Sequence, residues 1–86
     1  MERIYKYPVL GDDGVNAPRD AKVVHVSDQL GIPTVWMRVD PDAECVSRPI
    51  CIVGTGQDIP PNAIHHGAAM SGPFVWHVIE VPEEEA

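Results

Sequence analysis

Nine prolines and seven glycines punctuate this chain of 86 residues, and they constrain its fold more than any other feature. Proline removes a backbone donor, and glycine in a helix interior costs about 1 kcal/mol relative to alanine. Few windows are left in which a helix could run for several turns. Both residue types fall between short apolar runs, where they read as turns. The pattern predicts a chain of short strands with little helix.

The strands follow from period-two alternation and β-branched content. Residues 4–10 form a first strand, with Tyr5 and Tyr7 on one face. Gly11, Asp12, Asp13 and Gly14 mark a turn, and residues 16–20 read as loop. Residues 22–26 form a second strand. Asp28, Gln29, Leu30 and Gly31 then turn the chain into Ile32–Val39, the clearest strand in the sequence. There Val35, Met37 and Val39 point one way and Thr34, Trp36 and Arg38 the other. The short connection makes the second and third strands an antiparallel hairpin. Residues 43–47 read as loop and 48–53 as a fourth strand, ended by Gly54, Thr55 and Gly56. After the proline-rich segment 58–62, residues 63–70 are read as a strand. Ser71, Gly72 and Pro73 turn the chain into a last strand over 74–81. The expected fold class is mostly β: a small antiparallel sheet of about six strands curled into a barrel or sandwich. One β domain over residues 1–82 is followed by an acidic C-terminal tail over 83–86.

Composition narrows the function classes. An apolar fraction of 44% supports a folded core, but a chain this short buries only about 60% of its unfolded surface. The formal net charge of −7, with six Lys and Arg in all, disfavours nucleic-acid binding, since phosphate contacts need cations. It equally disfavours docking on an anionic membrane. The N-terminal residues lack the long apolar stretch of a signal peptide, and no apolar run is long enough to span a bilayer. The expected setting is a cytoplasm, with Cys45 and Cys51 reduced. Their spacing is not that of a zinc knuckle.

Four segments carry a family resemblance: Ile4-Tyr5-Lys6-Tyr7; Val35 through Ala43; Ile52-Val53-Gly54-Thr55-Gly56-Gln57-Asp58-Ile59; and Gly72 through Glu80. Together they resemble a domain-of-unknown-function family of short phage and prophage proteins, over nearly the whole chain. The resemblance implies a phage-encoded protein acting in a bacterial host cytoplasm. It transfers no catalytic residue. The acidic run after the family-like ending is an addition to that pattern.

Residue patterns for catalysis are sparse. His65 and His66 are adjacent, so in a strand they face opposite sides. His25 and His77 lie on separate strands and could meet across a sheet, but no further ligand stands at a recurring spacing beside them. No metal site and no cofactor are expected. Gly54-Thr55-Gly56 is too short for a phosphate loop, which needs a longer glycine-rich stretch followed by Lys and Ser or Thr; a turn is the plainer reading. Cys51 sits in an apolar strand and reads as core, while Cys45 stands beside Glu44 with no base near it. No nucleophile elbow or metalloprotease helix occurs. The chain is not expected to be an enzyme.

Trp36, Arg38, Arg48 and Thr55 are the candidate binding residues. Trp36 alternates with polar Thr34 and Arg38, so its face is the less apolar one. Trp and Arg are the types enriched at interface hot spots and suited to stacking and anion contact. The expected function is a phage accessory protein that binds and blocks a host bacterial protein of a defence system. Such a protein would homo-oligomerise through exposed strands. One alternative is sequestration of a small nucleotide-like signal by Trp36 stacking, Arg38 or Arg48 on phosphate, and the Gly54–Gly56 turn nearby. Another is a minor virion or assembly protein.

Overall fold

A computed structural model describes residues 1–11 and 13–82. The run Glu83-Glu84-Glu85 lies outside the described residues. Eight strands follow in order: β1 Arg3–Pro8, β2 Val15–Pro18, β3 Lys22–Gln29, β4 Ile32–Val39, β5 Cys45–Arg48, β6 Ile50–Gly54, β7 Ile64–Ser71 and β8 Phe74–Glu80. No helix occurs among the described residues.

The strands form three small antiparallel sheets, ordered β1-β4-β3, β2-β5 and β6-β8-β7. Three sheets thus stand where the sequence reading expects one curled sheet of about six strands, and no closed barrel is found among the described residues. The extra strands are β2 and β5, where that reading has loop over 16–20 and 43–47 and sets Arg48 at the start of its fourth strand. Each is four residues long and pairs only with the other, Val15 opposite Arg48 and Pro18 opposite Cys45. Proline at the end of such a short strand is tolerated, because one missing donor ends the ladder rather than breaking it. Arg19 N–H to the Glu44 carbonyl, 2.8 Å, adds one more rung.

The hairpin of β3 and β4 forms as expected. Its loop is Leu30-Gly31, with φ of 53° and 86°, the two positive values of a type I′ connection. The Asp28 carboxylate accepts the Gly31 N–H at 3.1 Å and fixes the turn. Val35, Met37 and Val39 are fully buried, as their alternation predicts. One core joins the three sheets: these three residues from β4, Val15 and Ala17 from β2, Ile50 from β6 and Val78 from β8. Tyr5, Tyr7, Val23, Val26 and Ile52 pack against it.

The first and third sheets meet closely where Gly67 of β7 lies against Val26 of β3. A Cβ on Gly67 would lie 2.9 Å from that of Val26, so only glycine lets the strands come this near. The molecule measures 38 × 37 × 18 Å. The outer faces are therefore large relative to the core, and they carry the candidate sites.

Candidate functional site

The outer face of the first sheet is set by strand register. Lys6, Trp36 and His25 stand in one row across β1, β4 and β3, and Ile4, Arg38 and Lys22 in the next. Residues directly opposite in an antiparallel ladder share a face. A bulge between Val23 and His25 keeps Lys22 and His25 on the same side. The Trp36 and His25 rings meet at 5.3 Å between centroids, tilted by 54°. Lys6, Lys22 and Arg38 are half of the six Lys and Arg in the chain. No carboxylate occupies a strand position on this face.

Glu2, just before β1, reaches Arg38. Its Oε1 accepts from Arg38 Nε at 3.0 Å and lies 2.9 Å from Nη2. Both side chains are at least half exposed. An exposed pair of this kind is worth about 0–1 kcal/mol, so another carboxylate could replace Glu2 at little cost. Beside the row of Lys6 and Trp36, a cleft of about 260 Å³ is lined by Lys6, Pro8, Gln29, Leu30, Ile32 and Thr34. Leu30 is 96% exposed there. The cationic rows thus run into an apolar cleft.

Arg48 does not join this face. It extends from β5 into the interior, where Nη1 donates to the Ala21 carbonyl and lies 3.8 Å from Met37 Sδ. Met37 belongs to the opposite side of β4 from Trp36. Arg48 Nε and Nη2 donate to Glu80 Oε2 and Oε1 at 2.9 and 2.7 Å. His66 Nε2 donates to the same Oε1 at 2.8 Å. The guanidinium hydrogen bonds hold the Glu80 carboxyl below its ordinary value; burial opposes this, and His66 assists. The same bonds raise Arg48, again against burial. This cluster ties β5, β7 and β8 to the first sheet. It is a structural ion pair with a paired, hydrogen-bonded charge at each end.

Thr55 stands apart from both. Gly54 through Gln57 form a turn, with Gln57 N–H on the Gly54 carbonyl at 3.2 Å. The Gly54 N–H is taken by the Gln57 side-chain oxygen, which leaves that donor occupied rather than open to a phosphate. Thr55 Oγ1 bonds His77 Nε2 at 2.9 Å. A groove of about 270 Å³ beside it is lined by Gly54, Thr55, Pro73, Phe74, Val75 and Trp76. Phe74 and Trp76 are stacked there at 5.8 Å.

Of the four candidate residues, then, Trp36 and Arg38 come together, while Arg48 and Thr55 each sit elsewhere. Sequence reasoning missed Lys6, Lys22 and the cleft. Pairing β1 beside β4 would have found Lys6, which alternation sets with Ile4 opposite Tyr5 and Tyr7; Lys22 was not legible, because alternation puts it in phase with Val26 and only the bulge between Val23 and His25 turns it to this side. It also missed Glu80 as the partner of Arg48. The signal was a carboxylate in phase with Trp76 and Val78, two positions apart along the last strand. Among the described residues, no three His, Cys, Asp or Glu side chains group so as to hold a metal ion, and no helix is long and apolar enough to cross a membrane.

The family model described as Domain of unknown function (DUF7352) matches residues 1–86. No curated protein and no solved structure matches the chain.

Proposed function

The chain belongs to the DUF7352 family, and from its surfaces we propose that it is a non-enzymatic binding module for an acidic segment of another protein. The observation that carries this reading is the outer face of the first sheet. In a chain of net charge −7, three of the six cations flank Trp36 on a face whose strand positions hold no carboxylate. Such a patch attracts acid against the sign of the rest of the molecule and selects its partner by that contrast. Trp36 offers the aromatic anchor, and Arg38 and Lys6 the charged contacts. The cleft lined by Pro8, Leu30 and Ile32 accommodates one apolar side chain of the partner.

The biological setting we propose is that implied by the family-like segments: a phage or prophage accessory protein that blocks a bacterial host factor in the host cytoplasm. The free edges of the small sheets favour self-association as well.

The test is capture from bacterial lysate with tagged wild type beside Trp36→Ala and a Lys6→Glu/Arg38→Glu double variant. One host protein held by wild type and lost from both variants, with unchanged circular dichroism, is the expected result. Capture indifferent to all three substitutions would remove this face from the reading. Recovery of the chain from purified virions, with no host partner, would make it a minor virion protein instead.

A second reading, binding of a small nucleotide-like ligand, draws on the groove beside Thr55, where stacked Phe74 and Trp76 offer a planar wall. No Lys or Arg lines that groove to meet a phosphate. Excess absorbance near 260 nm in the purified protein, lost in Trp76→Ala, would favour it.

A further inference from the structure

We propose that His65 and His77 form a cross-strand binding site for a late first-row divalent cation, Ni(II) or Cu(II), with Thr55 as the residue that orients His77. This site lies on the outer face of the third sheet and is independent of the first sheet's binding face.

Register brings the two rings together. The bulge between His65 and Gly67 sets His65 opposite Ile79. His77, two residues earlier on β8, then lies diagonally across on the same face. His65 Nε2 and His77 Nδ1 are hydrogen-bonded at 2.9 Å, with ring centroids 5.2 Å apart and planes at 53°. Two nitrogens bound at right angles to one metal, each at about 2.05 Å, are themselves about 2.9 Å apart. A spacing of this order is compatible with neighbouring positions of a square or octahedral site once the proton shared between the rings is displaced, and imidazole ligands suit Cu(II) and Ni(II).

Thr55 supplies a second, separate observation. Metal-bound histidines almost always donate their other ring N–H to an oxygen, which fixes the tautomer. Thr55 Oγ1 stands 2.9 Å from His77 Nε2. With Nε2–H donated to that oxygen, the free lone pair of His77 is on Nδ1, the atom that faces His65. His66 takes no part, since it points to the other side and binds Glu80. Water fills the remaining coordination positions. The negative charge of the whole chain favours cation binding.

The test uses the full chain without a polyhistidine tag. Ni(II) is titrated by calorimetry, and line broadening by this paramagnetic ion is followed in NMR spectra of the imidazoles. The expected result is one Ni(II) per chain, broadening His65 and His77 first and His25 and His66 later. His65→Ala and His77→Ala each weaken binding at least tenfold. Thr55→Val weakens it several-fold at unchanged stoichiometry, and His25→Ala leaves it unaltered. No binding by wild type at millimolar Ni(II), or equal binding by the His65→Ala/His77→Ala double variant, overturns the proposal. The broadening pattern needs no substitution, so a variant that fails to fold does not leave the question open.

Discussion

Arg48 on β5 holds Glu80 on β8 through two parallel hydrogen bonds, Nε to Oε2 at 2.9 Å and Nη2 to Oε1 at 2.7 Å. The side chains are 18% and 11% exposed, so this is an interior pair in a domain with a thin core. Removing one partner strands the other charge, and that cost exceeds the worth of the pair itself. Glu80→Ala is predicted to lower unfolding free energy by about 3 kcal/mol. Glu80→Gln, which keeps the shape and one acceptor, is predicted to cost less, about 1–2 kcal/mol. Urea unfolding of the three proteins checks the order. A loss under about 0.5 kcal/mol for Glu80→Ala, the range of ordinary surface substitutions, would mean that the pair does not hold the sheets together.

The same pair sets an acid limit. The folded Glu80 carboxyl lies below its ordinary value of 4.5, chiefly through the Arg48 hydrogen bonds. The unfolded chain therefore takes up this proton more readily than the folded one. The resulting stabilisation is fully present above about pH 4.5 and is lost as pH falls through the lowered folded value. Wild type should lose stability on acidification over that window, and Glu80→Gln should show a shallower slope from a lower starting point. Parallel slopes in urea midpoints measured from pH 6 to pH 3 would assign the acid sensitivity to other carboxylates.

Much of the first sheet was legible from local pattern. Ile32–Val39 alternates cleanly, and its turn residues sit in sequence beside it, so strand, hairpin and buried face could be read together. β2 and β5 could not, because Val15–Pro18 and Cys45–Arg48 acquire strand geometry only from each other, across about thirty residues of chain. Neither has enough residues for its own pattern to show. The site residues divide in the same way. Trp36 and Arg38 share a strand, and two-residue spacing suffices to place them together. Arg48 was read as an anion contact because its partner, Glu80, is remote in sequence. His77 was matched with His25, whereas the Gly72-Pro73 turn and the β7 bulge bring it to His65. Bulges shift register by one residue, and sequence alternation does not reveal where.

Gly14 is predicted to tolerate no side chain. Its φ is +79°, and a Cβ would lie 2.7 Å from the Arg48 carbonyl oxygen. That oxygen is backbone in β5 and cannot swing away. Gly56 is a matched control, with φ of +91° and nothing within 4 Å of an added Cβ. Both alanine variants incur the left-handed backbone cost of about 1 kcal/mol, so their difference isolates the contact. Gly14→Ala should destabilise by about 2 kcal/mol more than Gly56→Ala. Equal thermal midpoints would show that β2 and β5 can separate without loss.

Leu30 occupies a left-handed position, φ +53°, for which its side chain is poorly suited. A type I′ hairpin favours Asn followed by Gly, and Gly31 already fills the second place. Leu30 is 96% exposed, so replacing it removes no core contact. Leu30→Asn is predicted to stabilise the fold by about 0.5–1 kcal/mol, a rise of roughly 4 °C in Tm for a domain of this size. The same residue lines the cleft beside Lys6 and Pro8. If that cleft receives an apolar side chain of a partner, the stabilised variant should capture the partner less well, the trade expected where a binding residue sits in a strained turn. Higher Tm with undiminished capture would keep the turn argument and remove Leu30 from the binding surface. An unchanged or lower Tm would sink the turn argument itself.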